Sequence, residues 1–138
     1  MATELLVNID VDDLARAEAF YCSAFELRVH RRFGHEGAEL RGTSAAIFLL
    51  VKPAGSTPVP GSDQRRDYAR HWSPVHLDFV VPDIDVAVAR ATVAGAVLEK
   101  PVSTARWGRL AVMGDPFGHG FCFVQFLNRG YDELAEPL

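Results

Sequence analysis

Two segments of the chain, 70 residues apart, share one pattern of polarity. Each begins with alternating apolar and polar residues, which predicts a half-buried strand, and continues behind an aspartate into apolar residues at helical spacing. The aligned pairs are Leu6 with His76, Asn8 with Asp78, and Asp13 with Asp83. A duplicated module explains this match, although two unrelated strand-to-helix junctions would share the same alternation and the same aspartate cap.

The first half of the chain predicts a strand, a helix and three more strands. The first strand covers residues 4–11, and Asp12 or Asp13 caps the helix that follows. Gly34 and Gly42 interrupt the remaining β-rich sequence. The three later strands are predicted at about 28–34, 37–43 and 45–52.

The second half repeats this order, with Asp83 as the helix cap. Its later strands are predicted at about 98–105, 108–113 and 119–126. Residues 54–73 contain Pro, Gly, Ser and charge without a period, which predicts a long surface loop. We therefore expect an α+β fold with two tandem βαβββ modules, about 1–53 and 74–128, in one domain that spans residues 1–138.

Charge and composition argue against several classes of partner. The net charge is −4 and the pI is about 5.7, whereas nucleic acids and anionic membranes attract basic proteins. No apolar run approaches the ~18 residues of a membrane span, and acidic residues come too early for a signal peptide. Cys22 and Cys122 lack CxxC spacing, which favours a reduced, cytoplasmic protein. Two basic pairs are interpreted as solvated or ligand-facing charges: Arg31-Arg32 and Arg65-Arg66.

The stretch GDPFGHGFCFVQF, residues 114–126, contains a turn and then a strand. Residues 115–118, DPFG, have Asp, Pro and Gly at positions where a hairpin turn uses them. His119 follows the turn directly, so we interpret it as a turn residue. Cys122 lies inside the strand and therefore belongs to a different environment.

Four segments of the chain occur in a fairly specific order and spacing: VDDLARAEAFY, HLDFVVPDIDVAVAR, WGRLAVMGDPFG and GFCFVQF. Together they resemble the vicinal oxygen chelate superfamily, which includes glyoxalase I, extradiol dioxygenases, and fosfomycin- and bleomycin-resistance proteins. The resemblance covers nearly the whole chain. It implies that the sheets of the two βαβββ modules form a cup-like half-barrel around a ligand. It also implies a homodimer, because many members dimerise.

The resemblance also indicates where a metal would bind. Enzymes of the superfamily use up to four ligands, which fall here on Leu6, Phe48, His76 and Cys122. Leu6 and Phe48 offer no lone pair, and open catalytic sites need about three protein ligands. We therefore expect no metal cofactor and interpret the set as a vacated metal site. In the alternative with a divalent metal, Asp78 could be a third ligand, because it shares a strand face with His76.

The same strand faces predict a ligand-binding surface. They combine an apolar floor with a few polar groups, as small-molecule pockets do. Residues 107–109, WGR, are similar to a segment of metal-free bleomycin-resistance proteins, which suggests that Trp107 stacks on a planar ligand and that Arg109 pairs with its carboxylate or lies over its ring. Phe117 is expected near the mouth of the cup. The candidate ligand-binding residues are Leu6, Asn8, Phe48, His76, Asp78, Trp107, Arg109, Phe117 and Cys122.

Two functions stay open at this point. The first is metal-independent binding of a small organic ligand, which would sequester an antibiotic, a toxin or an aromatic metabolite. The alternative is a metal-dependent lyase, isomerase or dioxygenase of the glyoxalase type that uses His76 as its surviving ligand. In a metal-free enzyme, His76 would be the candidate catalytic base. The vacated metal positions favour the first function.

Overall fold

The computed structural model describes residues 1–138, which form two compact units, residues 1–69 and 70–138. Each unit holds one α-helix and one mixed sheet, so the α+β class and the repeated βαβββ order are confirmed. No helix in either unit is long and apolar enough to cross a membrane. The single domain that spans both units remains a prediction.

The first unit is a four-stranded sheet with one helix. Its elements are β1 Leu6–Val11, α1 Leu14–Phe25, β2 Arg28–Arg32, β3 Gly37–Arg41 and β4 Ala46–Val51. The strand order is β1-β4-β3-β2, with β1 parallel to β4 and the other neighbours antiparallel. The predicted strands are all present, and each is shorter than its sequence pattern by one to a few residues.

Helix α1 begins at the aspartate that the sequence marks. The backbone of Asp13 is extended, and its side chain accepts a hydrogen bond from the Arg16 N–H at 3.0 Å, so Asp13 rather than Asp12 is the cap. The helix ends at Glu26, which has a left-handed backbone with φ of 56°. One stripe of the helix is buried, namely Ala17, Phe20, Tyr21 and Ala24.

The second unit repeats this plan with one strand divided. Its elements are β5 Leu77–Val80, α2 Ile84–Ala94, β6 Val97–Leu98, β7 Ser103–Thr104, β8 Gly108–Gly114 and β9 Gly120–Phe126, followed by a 3₁₀ turn at Gly130–Glu133. Strand β5 is parallel to β9, β9 is antiparallel to β8, and both β6 and β7 pair with β8. Asp83 caps α2 by accepting the N–H groups of Asp85 and Val86.

The single strand predicted at 98–105 is wrong, because β6 and β7 are separate two-residue strands. Pro101 lies between them. A proline has no N–H to donate to the ladder of hydrogen bonds, so a continuous strand against β8 is interrupted there.

Each sheet turns one face toward its helix, and the strand register identifies the side chains on the opposite face. We call these opposite faces the first and second open faces. The first open face includes Leu6, Asn8, Glu39, Phe48 and Leu50. The second open face includes Asp78, Val80, Leu110, Val112, Cys122 and Val124.

The assignment of Asp13 and Asp83 as helix caps can be tested by substitution. We expect Asp13→Ala and Asp83→Ala each to lower the free energy of unfolding by about 1 kcal/mol, because each removes an acceptor for N–H groups that have no partner within the helix. Urea denaturation followed by circular dichroism measures this. Asp12→Ala is the matched control and should change the value by less than about 0.5 kcal/mol. Equal losses at Asp12 and Asp13 would contradict the assignment of the cap.

Candidate functional site

Three polar side chains meet on the second open face. The parallel pairing of β5 with β9 sets Asp78 opposite Cys122, and His76 lies two residues before Asp78. The His76 Nδ1 and Asp78 Oδ1 atoms are 3.1 Å apart, and the potential ligand atoms of all three side chains lie within 4.8 Å of one another. We call this group the His76–Asp78–Cys122 cluster. It remains open to solvent, since 55% of the His76 side chain is exposed.

The Cys122 thiol is held in its neutral form. Burial raises its pKa to about 11, and the charge and hydrogen bond of Asp78 act in the same direction. Only about one thiol in ten thousand would be ionised at pH 7, and the thiolate is both the nucleophile and the metal ligand. Cys122 is therefore a hydrogen-bond donor to Asp78 and a poor nucleophile.

Apolar side chains continue the second open face away from this cluster. Val80 pairs with Val124 in the β5–β9 register, and 62% of Val80 is exposed. Phe126, at the end of β9, is 40% exposed, and its ring centroid lies 4.8 Å from that of Tyr131. The strand distance from Cys122 to Phe126 is roughly 13 Å. The second open face thus has a polar end and an aromatic end, with the exposed Val80 between them.

Trp107 lies at the aromatic end. Its ring centroid is 5.1 Å from that of Tyr131 and 6.4 Å from that of Phe126. An ion pair between Arg106 and the nearly buried Glu133 fixes the 3₁₀ turn that carries Tyr131. Trp107 is half-buried and packs on the protein's own rings, so stacking on a ligand stays a prediction for this residue.

Arg109 lies on the helix side of the second sheet. Its two terminal nitrogens donate to the Asp85 carboxylate on α2 at 2.9 and 3.1 Å. The neighbouring Leu110, opposite Val124, takes the open face instead. This placement contradicts the expectation that Arg109 faces the ligand. The alternation of side chains along β8 could have predicted the position of Arg109, because it places the neighbouring Leu110 on the open face.

The turn at residues 115–118 forms as the sequence indicates. The Asp115 carboxylate accepts the N–H groups of Phe117 and His119 at 2.8 and 2.9 Å. Phe117 itself is fully buried, which contradicts the expectation that it lines an opening. His119 stays with the turn, where its Nδ1 atom lies 3.1 Å from Nε2 of His71.

Arg70 covers one end of the second open face, and no sequence pattern pointed to it. Its guanidinium donates to both oxygens of Glu99 at 2.6 and 2.9 Å. It lies across Gly114 and Gly120, which are partners in the β8–β9 register next to Cys122. A Cβ atom on Gly120 would lie 2.5 Å from an Arg70 nitrogen, so the paired glycines leave space for this side chain. The only feature that could have indicated the position of Arg70 is the pair of glycines opposite each other in β8 and β9.

Three candidate residues lie on the first open face, namely Leu6, Asn8 and Phe48. Leu6 is 54% exposed. Asn8 and Phe48 are register partners on β1 and β4, and the Phe48 ring lies nearly parallel to Phe33, at 17° with a centroid distance of 6.2 Å. This face therefore carries an aromatic pair that the sequence did not predict.

Glu39 lies beside Phe48 on the first open face and, like Arg70, was not among the predicted site residues. Its side chain is fully buried and accepts hydrogen bonds from the Nε groups of Arg31, at 2.6 Å, and Arg41. Burial acts to raise the pKa of Glu39, but the hydrogen bonds and charges of the two arginines outweigh it and lower the pKa. Glu39 is flanked by buried Ala38, so alternation along β3 could have placed it on the open face.

Most of the chain matches a known protein family. A family model described as a glyoxalase-like domain matches residues 6–124. The chain belongs to this family. The resemblance carried by the four sequence segments is thereby confirmed, and the glyoxalase-like fold accounts for the two βαβββ modules.

Proteins that are similar to this chain carry different functional names. The anthracycline biosynthesis protein DnrV of Streptomyces peucetius is 30% identical to this chain over 133 residues, which are 94% of this chain. The chain spans only 43% of the length of DnrV. The solved structure of the fosfomycin resistance protein FosX from Listeria monocytogenes is 15% identical with a TM-score of 0.69, over 92% of this chain and 95% of that one.

A lactoylglutathione lyase from Agrobacterium tumefaciens is a second solved structure with this fold. It is 17% identical, with a TM-score of 0.61 over 91% of this chain and 94% of that one. At such identities the two structures establish a common fold with this chain and nothing about its substrate.

The donor set can be tested against the divalent metal that many glyoxalase-like enzymes carry. Two of the four family positions hold the hydrocarbon side chains of Leu6 and Phe48. The His76–Asp78–Cys122 cluster offers three donor atoms, and a cation bound there would have to displace the thiol proton. Because Leu6 and Phe48 offer no lone pair, the residues present do not fit the family's four-position metal centre.

The origin of the Cys122 pKa can be tested by alkylation. Asp78→Asn removes a negative charge beside the thiol, so the pKa should fall and the thiolate fraction at a fixed pH near 8 should rise by about threefold or more. Rates of reaction with iodoacetamide against pH, measured by mass spectrometry in a Cys22→Ser background, give both quantities. Asp85→Asn, on the helix side, is the control and should leave the rate unchanged. An unchanged rate in Asp78→Asn would contradict the assigned cause.

Proposed function

We propose that the protein binds a small, planar organic ligand against the second open face without a catalytic metal. The observation that carries the proposal is the layout of this face, with the polar His76–Asp78–Cys122 cluster at one end and exposed valine and aromatic side chains beyond it. Small-molecule sites usually combine an apolar surface with a few polar groups that fix orientation.

The cluster defines which polar groups the ligand presents. The Asp78 carboxylate accepts hydrogen bonds, and His76 can donate or accept depending on its tautomer. Cys122 is a neutral donor that already points its hydrogen toward Asp78. A hydroxyl or carbonyl group at the edge of an aromatic ring would satisfy these groups, while the ring itself covers the exposed Val80.

The known relatives support an aromatic or antibiotic ligand. DnrV is named for anthracycline biosynthesis, and FosX is named for fosfomycin resistance. Binding without chemical change would be sufficient for sequestration. We extend the proposal to Leu6, Asn8, Phe48 and Trp107 as ligand contacts on the strength of the family resemblance alone. On the same basis we propose a homodimer in the cytoplasm, which light scattering after gel filtration would test.

A metal-dependent lyase, isomerase or dioxygenase is the second candidate. One observation favours it, since three potential ligand atoms from His76, Asp78 and Cys122 lie within 4.8 Å. A bound cation would have to displace the thiol proton or rely on only two protein ligands. We therefore rank this function below metal-independent binding.

Ligand binding on the second open face is tested with two exposed valines. A thermal-shift screen of the metal-free protein against polycyclic aromatic metabolites and antibiotics should yield a stabilising ligand, because binding to the native state raises the melting temperature. Val80→Ser should weaken that ligand about tenfold, since it removes about one buried valine side chain. Val93→Ser, at a 91% exposed position on α2, should not change the affinity. Equal effects of the two substitutions would contradict binding at this face.

Metal dependence is tested separately on protein purified without an affinity tag. We expect less than about 0.1 equivalents of Fe, Mn, Ni or Zn, and ligand affinity within about twofold after treatment with EDTA. Near-stoichiometric metal that is lost in His76→Ala, together with catalytic turnover that depends on it, would replace the binding proposal with the enzymatic one. Asp85→Asn serves as the control for metal bound elsewhere on the surface.

A further inference from the structure

The first open face carries more positive charge than its buried acid requires. Glu39 bonds Arg31 and Arg41 at once, so the three groups together have a net charge of +1. A single arginine can satisfy a carboxylate with two parallel hydrogen bonds. Two arginines on one carboxylate leave one charge in excess, held at a fixed place on the sheet.

Both guanidinium groups remain accessible while they hold Glu39. Their side chains are 59% and 45% exposed, for Arg31 and Arg41 respectively. The contact of each with Glu39 uses Nε, and a guanidinium has four further N–H groups on its terminal nitrogens. Glu39 thus fixes the inner edge of each guanidinium and orients the outer edges, which lowers the entropy cost of binding an anion.

An aromatic surface adjoins this charge. The Arg31 guanidinium carbon lies 5.4 Å from the centroid of the Phe33 ring, and Phe33 is 42% exposed. Phe33 lies nearly parallel to Phe48, which is beside Glu39 in the register. A flat apolar surface and a positively charged edge therefore occur side by side on one strand face.

We propose that the first open face is a second binding site, for an aromatic acid whose anionic group binds Arg31 and Arg41 and whose ring packs on Phe33 and Phe48. The inference goes beyond the proposed function, because it concerns the first unit and not the His76–Asp78–Cys122 cluster. Glu39 is a positioning residue in this arrangement, because it aligns the two arginines without contacting the ligand.

Arg32 provides a matched control for Arg31. The two arginines are adjacent on β2, yet Arg32 bonds Glu18 on α1 with two hydrogen bonds of 3.0 Å, on the other side of the sheet. The side chains are exposed to similar extents, 60% for Arg32 and 59% for Arg31. Substitution of each by glutamine therefore removes the same charge from opposite faces.

The test compares anthraquinone-2-carboxylate with the neutral anthraquinone-2-carboxamide by fluorescence titration and calorimetry at low salt. We expect the wild-type protein to bind the carboxylate about tenfold more tightly or better. Arg31→Gln should reduce this preference to less than about twofold, and Arg32→Gln should retain it. Arg31→Lys keeps the charge and the contact with Glu39, and should keep a preference above about threefold. Circular dichroism confirms that each variant is folded.

Failures of the two proposals give different results. Equal affinity of the wild-type protein for the two probes, or equal effects of Arg31→Gln and Arg32→Gln, overturns the aromatic-acid inference and leaves ligand binding intact. Absence of binding by both probes also overturns this inference, whereas the thermal-shift screen and Val80→Ser decide the proposed function separately. If Arg31→Gln fails to fold, Arg31→Lys and Arg41→Gln decide the question by the same preference.

Discussion

Packing of one helix on one face of each sheet is the constraint on which the rest of the structure depends. Burial of alternate side chains against the helix assigns the remaining side chains of every strand to the other face. In the second unit the buried Phe121 and Phe123 face α2, so Cys122 between them lies on the open face. Both candidate binding surfaces are therefore made from side chains on the sheet faces that do not pack against the helices.

Local patterns were sufficient to predict one face of the site and every element except the strand at 98–105, which is divided. The alternation in β5 placed His76 and Asp78 on one face, because side chains in a strand alternate regardless of what surrounds it. Their contact with Cys122 depends on the parallel register of β5 and β9, which are far apart in the chain. No local pattern states that register, so the sequence predicted the members of the cluster but not its geometry.

The incorrect expectations share a physical reason. Arg109 and Phe117 were placed toward the ligand by a short resemblance and by nearness to a turn, whereas an ion pair with Asp85 and complete burial determine where they lie. Glu39 was overlooked because the burial of a carboxylate is stable only with partners from other residues, here Arg31 and Arg41. The burial or pairing of a charged side chain depends on partners elsewhere in the chain, so the sequence of one segment cannot predict it.

The space that Gly114 and Gly120 leave for Arg70 has an evolutionary consequence. Within the long loop, Arg66 donates to Asp10, and Arg70 at its end donates to Glu99 and lies over the two glycines. Length and composition can therefore change only between these fixed points. Arginine, glutamate and the two glycines form a unit that should be kept or lost together among homologues, since each loses its purpose without the others.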